Sequence, residues 1–155
     1  MTDRLGEYRE RLLTGVNEHL DDGESATMAV LVQRRARWAL PLGIVAALLV
    51  SLVLGEGNAL VRGALIGLSI AGVLMYGTTF FTLARTQRGL VFARTSKWSQ
   101  NRVQEIVERM PVDTPIEHKP GLMTDRLKIE GRSYLMNRQF RTVLQDMIGG
   151  NTAGS

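Results

Sequence analysis

From Trp38 to Gly55 the chain carries no charged residue, and from Gly63 to Ala84 it carries none again. As a helix the first run reaches about 27 Å, against a hydrocarbon core of roughly 30 Å. Two such segments in a soluble bundle would need partner helices on every side. With 155 residues in all, the rest of the chain is too short to supply them. The reading is therefore two transmembrane helices, about 38–55 and 61–77. The second ends near Tyr76 because "TTFFTLA" beyond it turns to threonine and phenylalanine, residues that favour strands.

The stretch "GEGNALVR" between the runs has room only for a tight turn between antiparallel helices. Both ends of the chain then face the same side. Arg34, Arg35 and Arg37 precede the first run, and Arg85, Arg88, Arg94 and Lys97 follow the second, whereas Arg62 alone falls in the turn. By the positive-inside rule this is a multi-pass protein of the inner (plasma) membrane with both termini cytoplasmic. Trp38 and Tyr76 fall where interfacial aromatic anchors belong. Pro41 falls in a first helical turn, where its missing donor does least harm.

Small residues recur every fourth position, at Ala39, Gly43, Ala47 and Ser51 in the first run and at Gly63, Gly67 and Ala71 in the second. Such ridges let helix backbones approach closely in lipid. They predict a tightly packed hairpin, or one that uses a ridge to form a homo-oligomer. Neither run contains Asp, Glu, Lys, Arg, His, Asn or Gln, so a proton or ion pathway lacks its usual groups.

Residues 1–33 read as an amphipathic helix, with Leu5, Tyr8, Leu12, Val16 and Leu20 on one stripe and Gly23 as its stop, followed by a candidate strand in "SATMAVLVQ". A helix continuing into the membrane competes with that strand. Residues 34–78 are the hairpin. Residues 79–148 read as a small β domain: one β-hairpin turning at Arg85–Gly89, a segment near 103–110 that is helical or extended, an irregular or edge stretch around Pro111 and Pro115, and a second hairpin around Glu130–Arg132. Phe140, Val143, Leu144, Met147 and Ile148 then mark a terminal amphipathic helix, and 149–155 a flexible tail. The fold class expected is an α+β membrane protein, with a small antiparallel cytoplasmic domain flanked by N- and C-terminal helices.

The pieces "LDDGESATMAVLVQ" and "FTLARTQRGLVFARTSKW", with the helix near 138–148, resemble membrane-anchored bacterial pleckstrin-homology-like proteins of actinobacterial type. The similarity covers roughly residues 14–33 and 79–148. It implies a partly open barrel capped by a helix, with the transmembrane hairpin inserted between the first and second strands. The turn "ARTQRG" lacks the acidic residue often found there in that family.

The motifs point away from an enzyme. The chain has no cysteine, which excludes thiolate metal sites and cysteine nucleophiles. His19 and His118 stand apart from any metal-ligand spacing, the first read as favouring its helix end electrostatically and the second as an exposed loop residue. "DDGE" at 21–24 reads as a solvated turn. No phosphate loop or nucleophile elbow is present, and no cofactor or metal is expected. A net charge of +4 with pI near 10 is spread along the chain, so nucleic acid is not an expected partner. The partners expected are membrane lipids, met by Arg34, Arg35, Arg37, Arg85, Arg88, Arg94 and Lys97 as headgroup or topology-determining cations, and a protein partner or second copy. The expected role is to present a cytoplasmic domain at the bilayer; the alternative is a structural or accessory subunit that oligomerises through its helix ridges.

Overall fold

The computed structural model describes residues 3–54, 58–99 and 102–149, in two compact units: Met1–Arg34 with Phe80–Ser155, and Arg35–Thr79. Part of the turn expected between the apolar helices and nearly all of the expected tail lie outside the described residues.

The first unit is α+β, built on one seven-stranded antiparallel sheet. Its elements are α1 (Asp3–Asn17), β1 (Ala26–Arg35), β2 (Thr78–Thr86), β3 (Leu90–Thr95), β4 (Val103–Met110), β5 (Ile116–Lys119), β6 (Thr124–Ile129), β7 (Arg132–Asn137), a 3-10 turn Arg138–Phe140 and a final helix Arg141–Gly149. The strand order is β4-β3-β2-β1-β7-β6-β5. The candidate first strand is thus a strand, and it lies beside β2, with the Thr27 hydroxyl donating to the Arg85 carbonyl at 3.3 Å. Residues 103–110 are extended, not helical. The stretch after Pro115 forms an edge strand, where missing ladder donors are tolerated.

Alternation explains the outer strands: Asp125, Leu127 and Ile129 turn inward from β6 while Thr124, Arg126 and Lys128 face out. The central strands β2 and β3 bury consecutive residues, Thr82, Leu83 and Ala84 and then Leu90 through Ala93, as strands covered on both faces do. Leu12 and Val16 from α1 and Leu144 and Met147 from the terminal helix join this core, all at most 2% exposed. Phe81, Phe92 and Tyr134 form an aromatic cluster with centroids 5.2–6.2 Å apart. Helix α1 ends at Asn17, six residues before the expected stop, because the Asn17 side chain turns back to accept from Ala26 N at 2.8 Å. Gly23 serves the turn beyond, at φ 84°. Gly89 closes the β2–β3 hairpin, where a Cβ would come within 2.3 Å of the Met110 carbonyl oxygen.

The second unit holds α2 (Ala39–Leu54) and α3 (Ala59–Tyr76), packed antiparallel. Asn58 caps α3, its Oδ1 accepting from Leu60 N at 3.0 Å, and Ala36 N donates to Gly77 O at 2.8 Å at the other end. Arg62, expected in the connecting turn, is instead in the first turn of α3, where its guanidinium donates to the Ser51 hydroxyl on α2. One described helix, α3, is long and apolar enough to cross a membrane, with mean hydropathy 1.8. Helix α2 has sixteen residues, about 24 Å, and falls short by itself of a core of roughly 30 Å.

Candidate functional site

The cations singled out in the sequence do not form one patch. Thr95 pairs with Phe80 at the end of the sheet where β2 starts, and Leu90 pairs with Arg85 at the other. Five residues of strand separate those pairs by about 17 Å. Arg34 and Arg35, at the end of β1, and Lys97, after β3, belong to the first end; Arg85 and Arg88 belong to the second. Arg85 and Arg94 are held by structural contacts. Arg85 Nη1 donates to Met147 O at 2.7 Å, satisfying a carbonyl in the last turn of the terminal helix, and Arg94 faces Glu105 across β3–β4 at 3.5 Å. Arg34, Arg35, Arg37 and Arg88 are exposed.

The turn after β3 carries a feature the sequence reading passed over. Trp98 is 90% exposed, and the turn is pinned by Ser96 N to Arg102 O and Arg102 N to Ser99 O, each 2.9 Å. Ser96, Ser99 and Arg102 line one wall of an open polar hollow of about 690 Å³, and Arg11, Thr14, Glu18 and His19 of α1 line another. The signal available in the sequence was a lone tryptophan among Ser, Lys, Gln, Asn and Arg, with no apolar periodicity to bury it.

A second cleft, of about 400 Å³, opens among Tyr8, Leu31, Gln33, Phe80, Thr124, Leu135, Asn137 and Phe140. The Tyr8 hydroxyl is buried there without a hydrogen-bond partner among the described residues, and burial pushes its pKa up. Among the described residues, no charged side chain lines this cleft.

Two buried carboxylates correct the sequence reading of their neighbourhoods. Asp125 is fully buried and accepts from Arg141 Nε (2.8 Å) and Nη2 (2.5 Å), from Gly121 N (3.0 Å) and from His118 Nε2 (2.8 Å). His118 is thus a strand residue paired across β5–β6, not an exposed loop residue. The Arg141 guanidinium, with Gly121 and His118, holds the Asp125 carboxyl well below the usual range. Glu24, expected in a solvated turn, has a side chain only 1% exposed. It accepts from the Thr86 hydroxyl at 2.7 Å and Arg109 Nη1 at 2.6 Å, which lower its pKa against the opposing effect of burial. His19 Nδ1 lies 3.0 Å from Gly15 O, within its own helix end. Both carboxylates are thus engaged in tying segments together, and among the described residues no group of three or more His, Cys, Asp or Glu could hold a metal ion.

Within the helical pair the two small-residue ridges part company. Ala39 and Gly43 are buried and Ala47 and Ser51 half-buried; Gly43 meets Ile70 of α3, a Cβ there having Ile70 Cγ2 at 3.7 Å. Gly63, Gly67 and Ala71 are exposed, and a Cβ on either glycine would meet nothing within 4 Å. The face of α3 nearer α2 carries Arg62, Ile66, Ile70 and Val73 instead. Trp38 and Tyr76 are 48% and 76% exposed. Comparison with protein-family models, with curated proteins and with solved structures finds no match to this chain.

Proposed function

We propose that the chain is a non-enzymatic integral membrane protein, in which α2 and α3 form a transmembrane hairpin holding the α+β unit at the cytoplasmic surface of the inner membrane, where it meets anionic lipid. The observation that carries this reading is the uncovered surface of the helical pair. Leu52, Val53, Leu60 and Leu68 are 78%, 84%, 81% and 68% exposed, and nine further large apolar residues on α2 and α3, with Tyr76, are at least 40% exposed. Leaving a leucine or valine in water rather than burying it costs about 2 kcal/mol, and a surface of this extent is stable only in lipid or under another protein. Arg62, near the start of α3, can reach an interface as long cationic side chains do. The strand order and the terminal helix support the likeness to bacterial pleckstrin-homology-like proteins, with the helical pair inserted between β1 and β2.

Single cysteines in this cysteine-free chain test the topology. In sealed vesicles, cysteines at Glu18 and Gln87 should react with an impermeant maleimide from one side and a cysteine at Ala59 from the other. Labelling of all three from one side would overturn the hairpin.

The outward-facing ridge Gly63, Gly67 and Ala71 favours a second reading, a subunit that associates with copies of itself through α3. Gly67→Leu should then lower the particle mass in mild detergent, and an unchanged mass would leave the ridge without that role.

A further inference from the structure

We infer that the segment 96–99, directly after β3, is a membrane-docking element, with the Trp98 indole seated in the headgroup region of an anionic bilayer. It rests on the membrane reading proposed above and adds to it the surface by which the α+β unit meets lipid.

Three observations converge on this turn. An indole exposed over 90% of its surface leaves a large apolar body in water, and tryptophan is the side chain most enriched where one end of a ring is apolar and the other wet. The Phe80–Thr95 pairing puts the turn at the end of the sheet where β2 receives the chain from α3 and where β1 passes it to α2. Lys97 precedes the indole, and the exposed Arg102, whose N donates to Ser99 O, lines the hollow shared with Arg11, Thr14, Ser96 and Ser99, a set of cations and hydroxyls suited to phosphate oxygens. Among the described residues, Glu18 is the one acidic side chain lining that hollow. The other exposed apolar turn, with Leu122 at 85% and Met123 at 79%, precedes β6 at the Thr124–Asn137 pairing. Since Met136 pairs with Val32, that turn points away from the end where β1 passes to α2.

The chain has two tryptophans, so each can be read alone. The full-length protein is reconstituted in phosphatidylcholine–phosphatidylglycerol vesicles containing lipids brominated near the headgroup end or near the terminus of the acyl chain. In the Trp38→Phe variant, Trp98 should lose roughly half its emission to the first kind of lipid and less to the second, the depth order of an interfacial ring. The Trp98→Phe variant reports Trp38, beside α2. Quenching of Trp38 with Trp98 left untouched would overturn the docking turn and leave the hairpin standing. If neither is quenched, the membrane reading fails and the docking turn with it.

Discussion

The Asp125 carboxylate receives two hydrogen bonds from the Arg141 guanidinium, at 2.8 and 2.5 Å, and so ties the start of the final helix to β6. With His118 and Gly121 also donating, removing the negative charge strands donors at a fully buried position. Asp125→Asn should lower the stability of the α+β unit by about 2 kcal/mol, the cost of breaking such a group on one side. Chemical unfolding of the full chain in detergent, followed by circular dichroism, measures it.

The pH dependence follows from the same contacts. Hydrogen bonds from Arg141 hold Asp125 low, and those from Thr86 and Arg109 hold Glu24 low. A carboxylate whose folded pKa is depressed contributes stability that is complete above its unfolded value, about 4, and is lost as pH falls toward the folded value. The unfolding midpoint should therefore change little between about pH 7 and 5 and drop below about pH 4. The drop should be shallower in Asp125→Asn, and an equally steep drop in that variant would remove Asp125 as its source.

Gly77 and Ala39 fit closely in the helical pair. A Cβ on Gly77 would sit 2.5 Å from the Ala39 methyl, well inside contact distance, while the Gly77 φ of −77° is open to any residue. The demand is therefore for space, not for backbone freedom. Gly77→Ala should cost about 2 kcal/mol as overpacking, and Ala39→Gly in the same chain should recover most of it. Thermal melts of the two single variants and the double variant form the cycle, and additive losses would deny the contact.

What could be read in advance depended on whether one segment held the information. Gly89 and the Glu130–Arg132 turn announced their hairpins because turn chemistry is local, and the stripe of Leu12 and Val16 announced α1. The neighbours of β1 lie far along the chain, Thr27 meeting Arg85 of β2 and Val32 pairing with Met136 of β7, yet the strand pattern on either side of the apolar runs was enough to pose the β1–β2 pairing. Glu24 and His118 were misjudged because their partners, Arg109 and Asp125, come from other strands and leave no spacing to recognise. On α3 the Gly63–Gly67–Ala71 ridge and the face carrying Ile66 and Ile70 both repeat at four. With nearly every face apolar, periodicity could not say which one turns toward α2.

Arg85 and the arginines before α2 separate folding from surface charge. Because Arg85 satisfies Met147 O in the final helix, Arg85→Met should lower stability by about 2 kcal/mol, as loss of a charge-assisted hydrogen bond does. Reversing Arg34, Arg35 and Arg37 together to glutamate touches no hydrogen bond described for their side chains. It should change the unfolding free energy of the α+β unit by no more than the usual surface range of about ±0.5 kcal/mol while lowering co-purification of phosphatidylglycerol, read by lipid mass spectrometry. A large stability loss in the triple variant would show those arginines to be structural.

Tyr8 offers the opposite sign. Its ring packs on Phe140 with centroids 6.0 Å apart, and its hydroxyl is buried at the cleft without a partner among the described residues. Phenylalanine keeps the ring contact and relieves the desolvated donor, whose burial costs about 1–3 kcal/mol. Tyr8→Phe should therefore leave the protein as stable as before or raise its unfolding free energy by about 1 kcal/mol. Tyr8→Ala, which also removes the ring, should lose about 3 kcal/mol. If Tyr8→Phe instead destabilises in proportion to a lost hydrogen bond, the hydroxyl has an acceptor in the folded protein, and the cleft is where that acceptor must lie.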